Sequence, residues 1–129
     1  MLIFDANVWI ALLNVEDSQH EKAKMTYVEV EENQESILLP EYIILEVLNV
    51  LTCKAGKSKA DTFLSKIFAS DQIEIGYSSD DFLLRVIQTF LASDSNKLSF
   101  IDQSLLYLSQ FHKVITFDKE ILKRLPKVA

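Results

Sequence analysis

Two short strand-like runs in this chain each end on an aspartate. Leu2-Ile3-Phe4 runs into Asp5, and Val114-Ile115-Thr116-Phe117 runs into Asp118. Two further acids lie inside apolar stretches. Glu46 and Asn49 are the only polar side chains, besides the Tyr42 hydroxyl, between Tyr42 and Leu51, and Asp102 sits within the apolar segment Ser99–Ser109. If the four converge, their repulsion needs compensation: two unit charges about 4 Å apart repel by roughly 4 kcal/mol at an effective dielectric near 20. A divalent cation supplies it, and all-oxygen ligation by Asp and Glu suits Mg²⁺ or Mn²⁺. Such a centre orients a water molecule, lowers its pKa and stabilises charge on a phosphodiester during hydrolysis.

Each acid also has a structural use. Asp5 and Asp118 both precede helical patterns and are good N-caps. Asn7 shares the turn with Asp5, and Thr116, two residues before Asp118, can bond the local backbone or orient the carboxylate. Ser99 and Asp102 have the spacing of a capping box, although Leu105 and Leu106 on the next turn place Asp102 beside buried surface. Glu46 is harder to explain by local structure. A helix apolar nearly all round is expected to be buried, with Tyr42, Glu46, Asn49 and Cys53 as its one polar strip. An isolated buried carboxylate is costly, and no Lys or Arg lies within four positions of Glu46. It needs a cation from elsewhere, either a distant basic side chain or a metal.

These acids are positioned by alternating elements. Strands are expected at Leu2–Phe4, at Ser36-Ile-Leu-Leu39 closed by Pro40, at Ile73–Ile75 and at Lys113–Phe117. Between them, helical spacing follows Asp5; a capping box Ser18-Gln-His-Glu21 opens a helix with Ala23, Tyr27 and Val30 on one stripe. Further helices are expected from about Glu41 to Cys53 with Gly56 as the stop, and from Ser58 to Ala69 with Phe63, Leu64, Ile67 and Phe68 inward. Another begins at Ser78–Asp81 with Phe82, Val86 and Phe90 in phase. The last two run from Ser99 to about Gln110 and over Lys119–Leu125. Alternation of this kind implies a parallel sheet covered on both faces, and ligands of such sheets bind beyond the carboxyl ends of the strands.

The 129 residues, 49% of them hydrophobic, suit a single domain spanning 1–129, and two Gly and two Pro leave no linker. The single Cys53 forms no internal disulfide, and neither a signal peptide nor a membrane span is legible, so a soluble cytoplasmic protein is expected. A net charge of −6 argues against coating of nucleic acid by bulk positive charge. Local contact remains open at two basic clusters, Lys54/Lys57/Lys59 and Lys119/Lys123/Arg124/Lys127, which are otherwise ordinary solvated surface. His20 and His112 lack metal-ligand spacing, and no glycine-rich phosphate loop is present.

The four acidic segments together resemble the PIN-domain family and, within it, the VapC-type toxins of prokaryotic toxin–antitoxin pairs. "IFDANVWIALL", "LPEYIILEVLNVL", "LSFIDQSLLYLS" and "VITFDKEIL" are similar, in order and spacing, to that family's four motifs. The resemblance implies a three-layer α/β/α sandwich around a parallel sheet of four to five strands, with the last strand short or missing here. It implies a metal-dependent endoribonuclease, with Asp5, Glu46, Asp102 and Asp118 holding Mg²⁺ or Mn²⁺, and Asn7 and Thr116 supporting them. RNA is then the substrate and metal-activated water the nucleophile. An antitoxin and a homodimer or higher homo-oligomer are the implied partners. Apolar surface over Tyr27–Val30 and Phe63–Phe68 is expected to meet an antitoxin or a second copy. The competing reading is a PIN-like module that binds RNA or protein without cleaving.

Overall fold

The computed structural model describes residues 1–126. Its centre is a four-stranded sheet, all parallel, in the order β3-β2-β1-β4, formed by β1 (Leu2–Phe4), β2 (Ile37–Pro40), β3 (Ile73–Gly76) and β4 (Lys113–Ile115). Among the described residues seven helices connect and flank it: α1 (Ala6–Leu13), α2 (His20–Glu32), α3 (Glu41–Lys54), α4 (Lys57–Ala69), α5 (Asp80–Ala92), α6 (Phe100–Leu108) and α7 (Lys119–Leu122). The expected α/β layering, with a parallel sheet between helices, is therefore the observed one. No strand follows α7 among the described residues; Lys127, one of the C-terminal cations, lies outside them, as does Val128-Ala129.

Strands this short persist because both faces are covered. In parallel register Phe4 pairs with Ile115 and Leu2 with Ile37, so Phe4, Leu39 and Ile115 share a face. On that face Phe4 packs on Trp9 of α1 at 5.2 Å, and Trp9 packs on Tyr27 of α2 and Phe63 of α4 at 6.0 and 5.4 Å. On the opposite face Leu38 and Gly76 line a cavity with Phe82 of α5 and Leu108 of α6. A Cβ at Gly76 would lie 2.9 Å from Leu38 Cδ1, a contact that the end of the flexible Leu38 side chain relieves by shifting.

Four expectations need correction. The capping box at Ser18 does not form: α2 begins at His20 with Gln19 as its N-cap, and the Asp17 carboxylate takes the Gln19 N–H at 2.8 Å in an Asx turn that leaves Ser18 ahead of the helix. Phe68 points outward, 77% exposed, because Phe63 and Ile67 already fill the buried stripe of α4. Helix α3 is not buried all round: Leu45 is 62% exposed, and Asn49 and Cys53 face solvent. Finally, the segments Tyr27–Val30 and Phe63–Phe68 are spare surface only in part: Tyr27, Val30 and Phe63 form core, while Val28 and Phe68 are exposed. More exposed apolar side chains lie on α5, at Leu83, Leu84, Phe90 and Leu91. Among the described residues no helix is long and apolar enough to cross a membrane.

Candidate active site

In the strand order, β1 stands between β2 and β4, so successive connections leave it in opposite directions. The crevice at such a switch point, beyond the carboxyl ends of the strands, is where parallel sheets bind ligands. Asp5 directly follows β1, and Asp118 lies three residues beyond β4. The two Phe-Asp strand ends flank this crevice.

Asp5 is buried, 6% exposed. Its backbone N–H donates to the Ile115 carbonyl at 2.9 Å, extending the ladder past the strand end. Asp5 Oδ1 accepts the Ala6 N–H at 2.7 Å, and Oδ2 accepts the Thr116 hydroxyl at 2.7 Å and Asn7 Nδ2 at 3.3 Å. Thr116 is the hub. Its hydroxyl donates to Asp5 and accepts from the Asp118 N–H at 3.0 Å and from Asn7 Nδ2 at 3.2 Å. One donor and two lone pairs are thereby all used. Asn7 Oδ1 accepts the Phe117 N–H at 3.2 Å, so Asn7 ties the end of β1 to the end of β4 from both ends of its amide.

The other acids arrive on helices. Asp118 caps α7, its Oδ1 accepting the Glu120 and Ile121 N–H groups at 2.8 and 3.3 Å. Asp102 closes the capping box of α6, Oδ2 accepting the Ser99 N–H at 2.9 Å while Ser99 Oγ accepts the Asp102 N–H. The local uses anticipated for these residues are thus real, and each leaves one carboxylate oxygen without a protein donor among the described residues. Glu46, on the second turn of α3, differs: its Oε2 is buried without any hydrogen-bond partner.

Charge links Asp5 to each of the other three acids. Burial pushes the Asp5 carboxyl above its ordinary range; the Thr116 and Ala6 bonds oppose this, and the charges of Asp102 and Asp118 add to it. Burial likewise raises Glu46, reinforced by Asp5 and then Asp102. Among the described residues, no ion pair involves any of the four. The cation Glu46 requires is therefore not a side chain described here.

As the side chains stand, no three His, Cys, Asp or Glu residues among those described are gathered closely enough to hold one ion. The donor set nevertheless fits a hard divalent cation: all four acids offer carboxylate oxygens, Glu46 Oε2 is buried and unpartnered, and no cation among the described residues offsets the mutual repulsion.

Two further residues belong to this neighbourhood. Tyr42 Oη and Ser104 Oγ are hydrogen-bonded at 2.8 Å, with Ser104 Oγ also 2.6 Å from the Ile101 carbonyl, and the Tyr42 phenol is raised by burial, lowered by the Ser104 bond and raised again by Asp5. This pair crosses from α3 to α6, one turn before Glu46 and two residues past Asp102. Tyr42 was visible in the sequence as part of a polar strip, but Ser104 carried no signal. Asn49 and Cys53, from the same strip, lie outside the site. His20 Nδ1 sits 2.7 Å from the Ala11 carbonyl and joins α2 to α1.

The PIN-domain family model matches residues 2–128, and the chain belongs to that family. No curated protein sequence matches it. Among solved structures, the fold is similar to the crystal structure of Mycobacterium tuberculosis VapC20, a sarcin–ricin loop cleaving toxin. The TM-score is 0.80 at 17% sequence identity, over 95% of this chain and 94% of that one.

Proposed function

We propose that this chain is a metal-dependent endoribonuclease of the VapC type, hydrolysing RNA phosphodiester bonds, and the toxin half of a toxin–antitoxin pair acting in the cytoplasm. The observation that carries this reading is the electrostatic coupling of Asp5, Glu46 and Asp102 beside a buried, unpartnered Glu46 oxygen at the switch point of the sheet. Family membership and the likeness to a toxin that cleaves the sarcin–ricin loop support it.

In this reading Asp5, Glu46, Asp102 and Asp118 hold Mg²⁺ or Mn²⁺. The bound ion supplies a water of lowered pKa and stabilises charge on the phosphoryl oxygens. Thr116 and Asn7 fix the Asp5 carboxylate by donating to Oδ2, so that it presents one orientation. No side-chain nucleophile is required. An antitoxin and a second copy of the chain are the proposed partners, and the exposed apolar side chains of α5 offer more surface for them than the α2 and α4 segments do.

The second reading, a module that binds without cleaving, draws on the separation of the carboxylates and on the capping bonds of Asp102 and Asp118. Cleavage of a mixed RNA pool in Mg²⁺, Mn²⁺ or EDTA, comparing native protein with Asp5→Asn, separates the two. The nuclease reading expects metal-dependent cleavage that the variant abolishes. Intact RNA in every metal overturns it.

A further inference from the structure

We infer that the cations gathered around Glu120 form a landing site for the phosphodiester backbone of single-stranded RNA, directly beside the acidic crevice; this rests on reading that crevice as a ribonuclease site. Glu120 Oε1 lies 3.9 Å from Lys97 Nζ and 3.4 Å from Lys123 Nζ. Glu120 Oε2 accepts Arg124 Nη1 at 2.9 Å, and the same nitrogen donates to the Glu120 carbonyl at 2.8 Å. One carboxylate thus faces three cations, in a chain whose net charge is −6.

The placement is the informative part. Glu120 follows Asp118 by two residues, and its N–H bonds the Asp118 carboxylate. Lys97 lies in the segment leading into α6, five residues before Asp102. The Lys97–Glu120 contact therefore bridges the approaches to two of the four acids. Local structure accounts for part of the cluster: Lys123 and Arg124 suit the carboxyl end of α7 and its dipole, and exposed ion pairs contribute little stability. Neither reason applies to Lys97, which comes from another element, nor to the excess of positive over negative charge. Arg124 is held at one nitrogen by two acceptors, leaving its remaining N–H groups to pair with two oxygens of a phosphate. An acidic nuclease needs such a local reversal of sign, since phosphate contacts dominate RNA affinity.

The test is fluorescence anisotropy of a fluorescein-labelled single-stranded RNA, with Ca²⁺ present, over a series of salt concentrations. Native protein is compared with Lys97→Met/Lys123→Met, which keeps the aliphatic stems, and with Lys57→Met/Lys59→Met, which removes the same charge at the α3–α4 turn. Thermal melts check that both variants fold. Removing two phosphate contacts lowers the slope of log K against log salt by about 1.4 and weakens binding about tenfold, whereas the α4 variant retains the native slope. Equal effects from both variants, no effect from either, or no RNA binding by native protein overturns the proposal. Native protein that binds RNA but never cleaves it, with the expected slope loss in Lys97→Met/Lys123→Met, leaves the landing site standing and removes the nuclease reading. Native protein that cleaves RNA with an unchanged slope in Lys97→Met/Lys123→Met removes only the landing site.

Discussion

Replacing Thr116 with Val changes one hydroxyl for one methyl in a buried position and removes three hydrogen bonds together. The bond donated to the Asp5 carboxylate is worth about 1.5–3 kcal/mol, and the bonds accepted from Asp118 N–H and Asn7 about 1 kcal/mol each. The added methyl returns about 0.8 kcal/mol through burial. The loss should be about 3 kcal/mol at pH 7.5 in EDTA. With a urea m-value of about 2 kcal/mol/M, the unfolding midpoint falls by about 1.5 M. Thr116→Ser keeps the hydroxyl and should lose no more than about 1 kcal/mol. Equilibrium urea unfolding, followed by Trp9 fluorescence, reads both values. A Thr116→Val loss below about 0.5 kcal/mol, or equal losses for Val and Ser, would refute the assignment of Thr116 as the hub joining the two strand ends.

Glu46 makes a prediction with a definite sign in pH. Its carboxyl, like that of Asp5, is raised in the folded chain, so the folded state holds protons that the unfolded state has released. Their contribution is fully present below the unfolded carboxylate values near 4 and is lost as pH rises through the folded ones. In EDTA, Glu46→Gln should therefore raise the melting temperature at pH 7 by about 4 °C, from about 1 kcal/mol of relieved desolvation, and flatten the decline in stability above pH 4; a variant less stable than native at pH 7 contradicts this. The corrected packing of α4 gives a paired prediction: Phe63→Ala, which removes the ring 5.4 Å from Trp9, should cost about 3–5 kcal/mol, while Phe68→Ser should stay within about 0.5 kcal/mol in the same denaturation assay.

The order and type of the elements were readable because the local signals agreed. Apolar runs of three or four residues bounded by Asp, Pro or Gly became the strands, and helical spacing at Ala23, Tyr27 and Val30 became the buried stripe of α2. The failures arose where two local signals competed or where a face had to be assigned. Asp17 closes an Asx turn on the Gln19 N–H, and α2 starts one residue later than the Ser18 pattern implies. Phe68 and Leu45 are apolar and in phase, yet each helix has only one sheet-facing stripe, and chain periodicity does not say how wide that stripe is. At the site, the strand-end positions of Asp5 and Asp118 followed from the pattern alone. The Tyr42–Ser104 bond did not, because it joins residues 62 apart that are neighbours only through the packing of α3 and α6. The capping bonds of Asp102 and Asp118 were legible as capping patterns, but not that each carboxylate keeps its second oxygen free of protein donors among the described residues.

The central claim is that four acids from four elements act as one divalent-cation centre. Mn²⁺ binding at pH 7.5, read from loss of the free-ion electron paramagnetic resonance signal, tests it most directly on native protein, Glu46→Gln and Asp102→Asn. The account predicts that native protein takes up Mn²⁺ and that each single variant weakens uptake by tenfold or more, although Glu46 and Asp102 lie on different helices. Absence of uptake by native protein, or uptake that survives both substitutions, would contradict it.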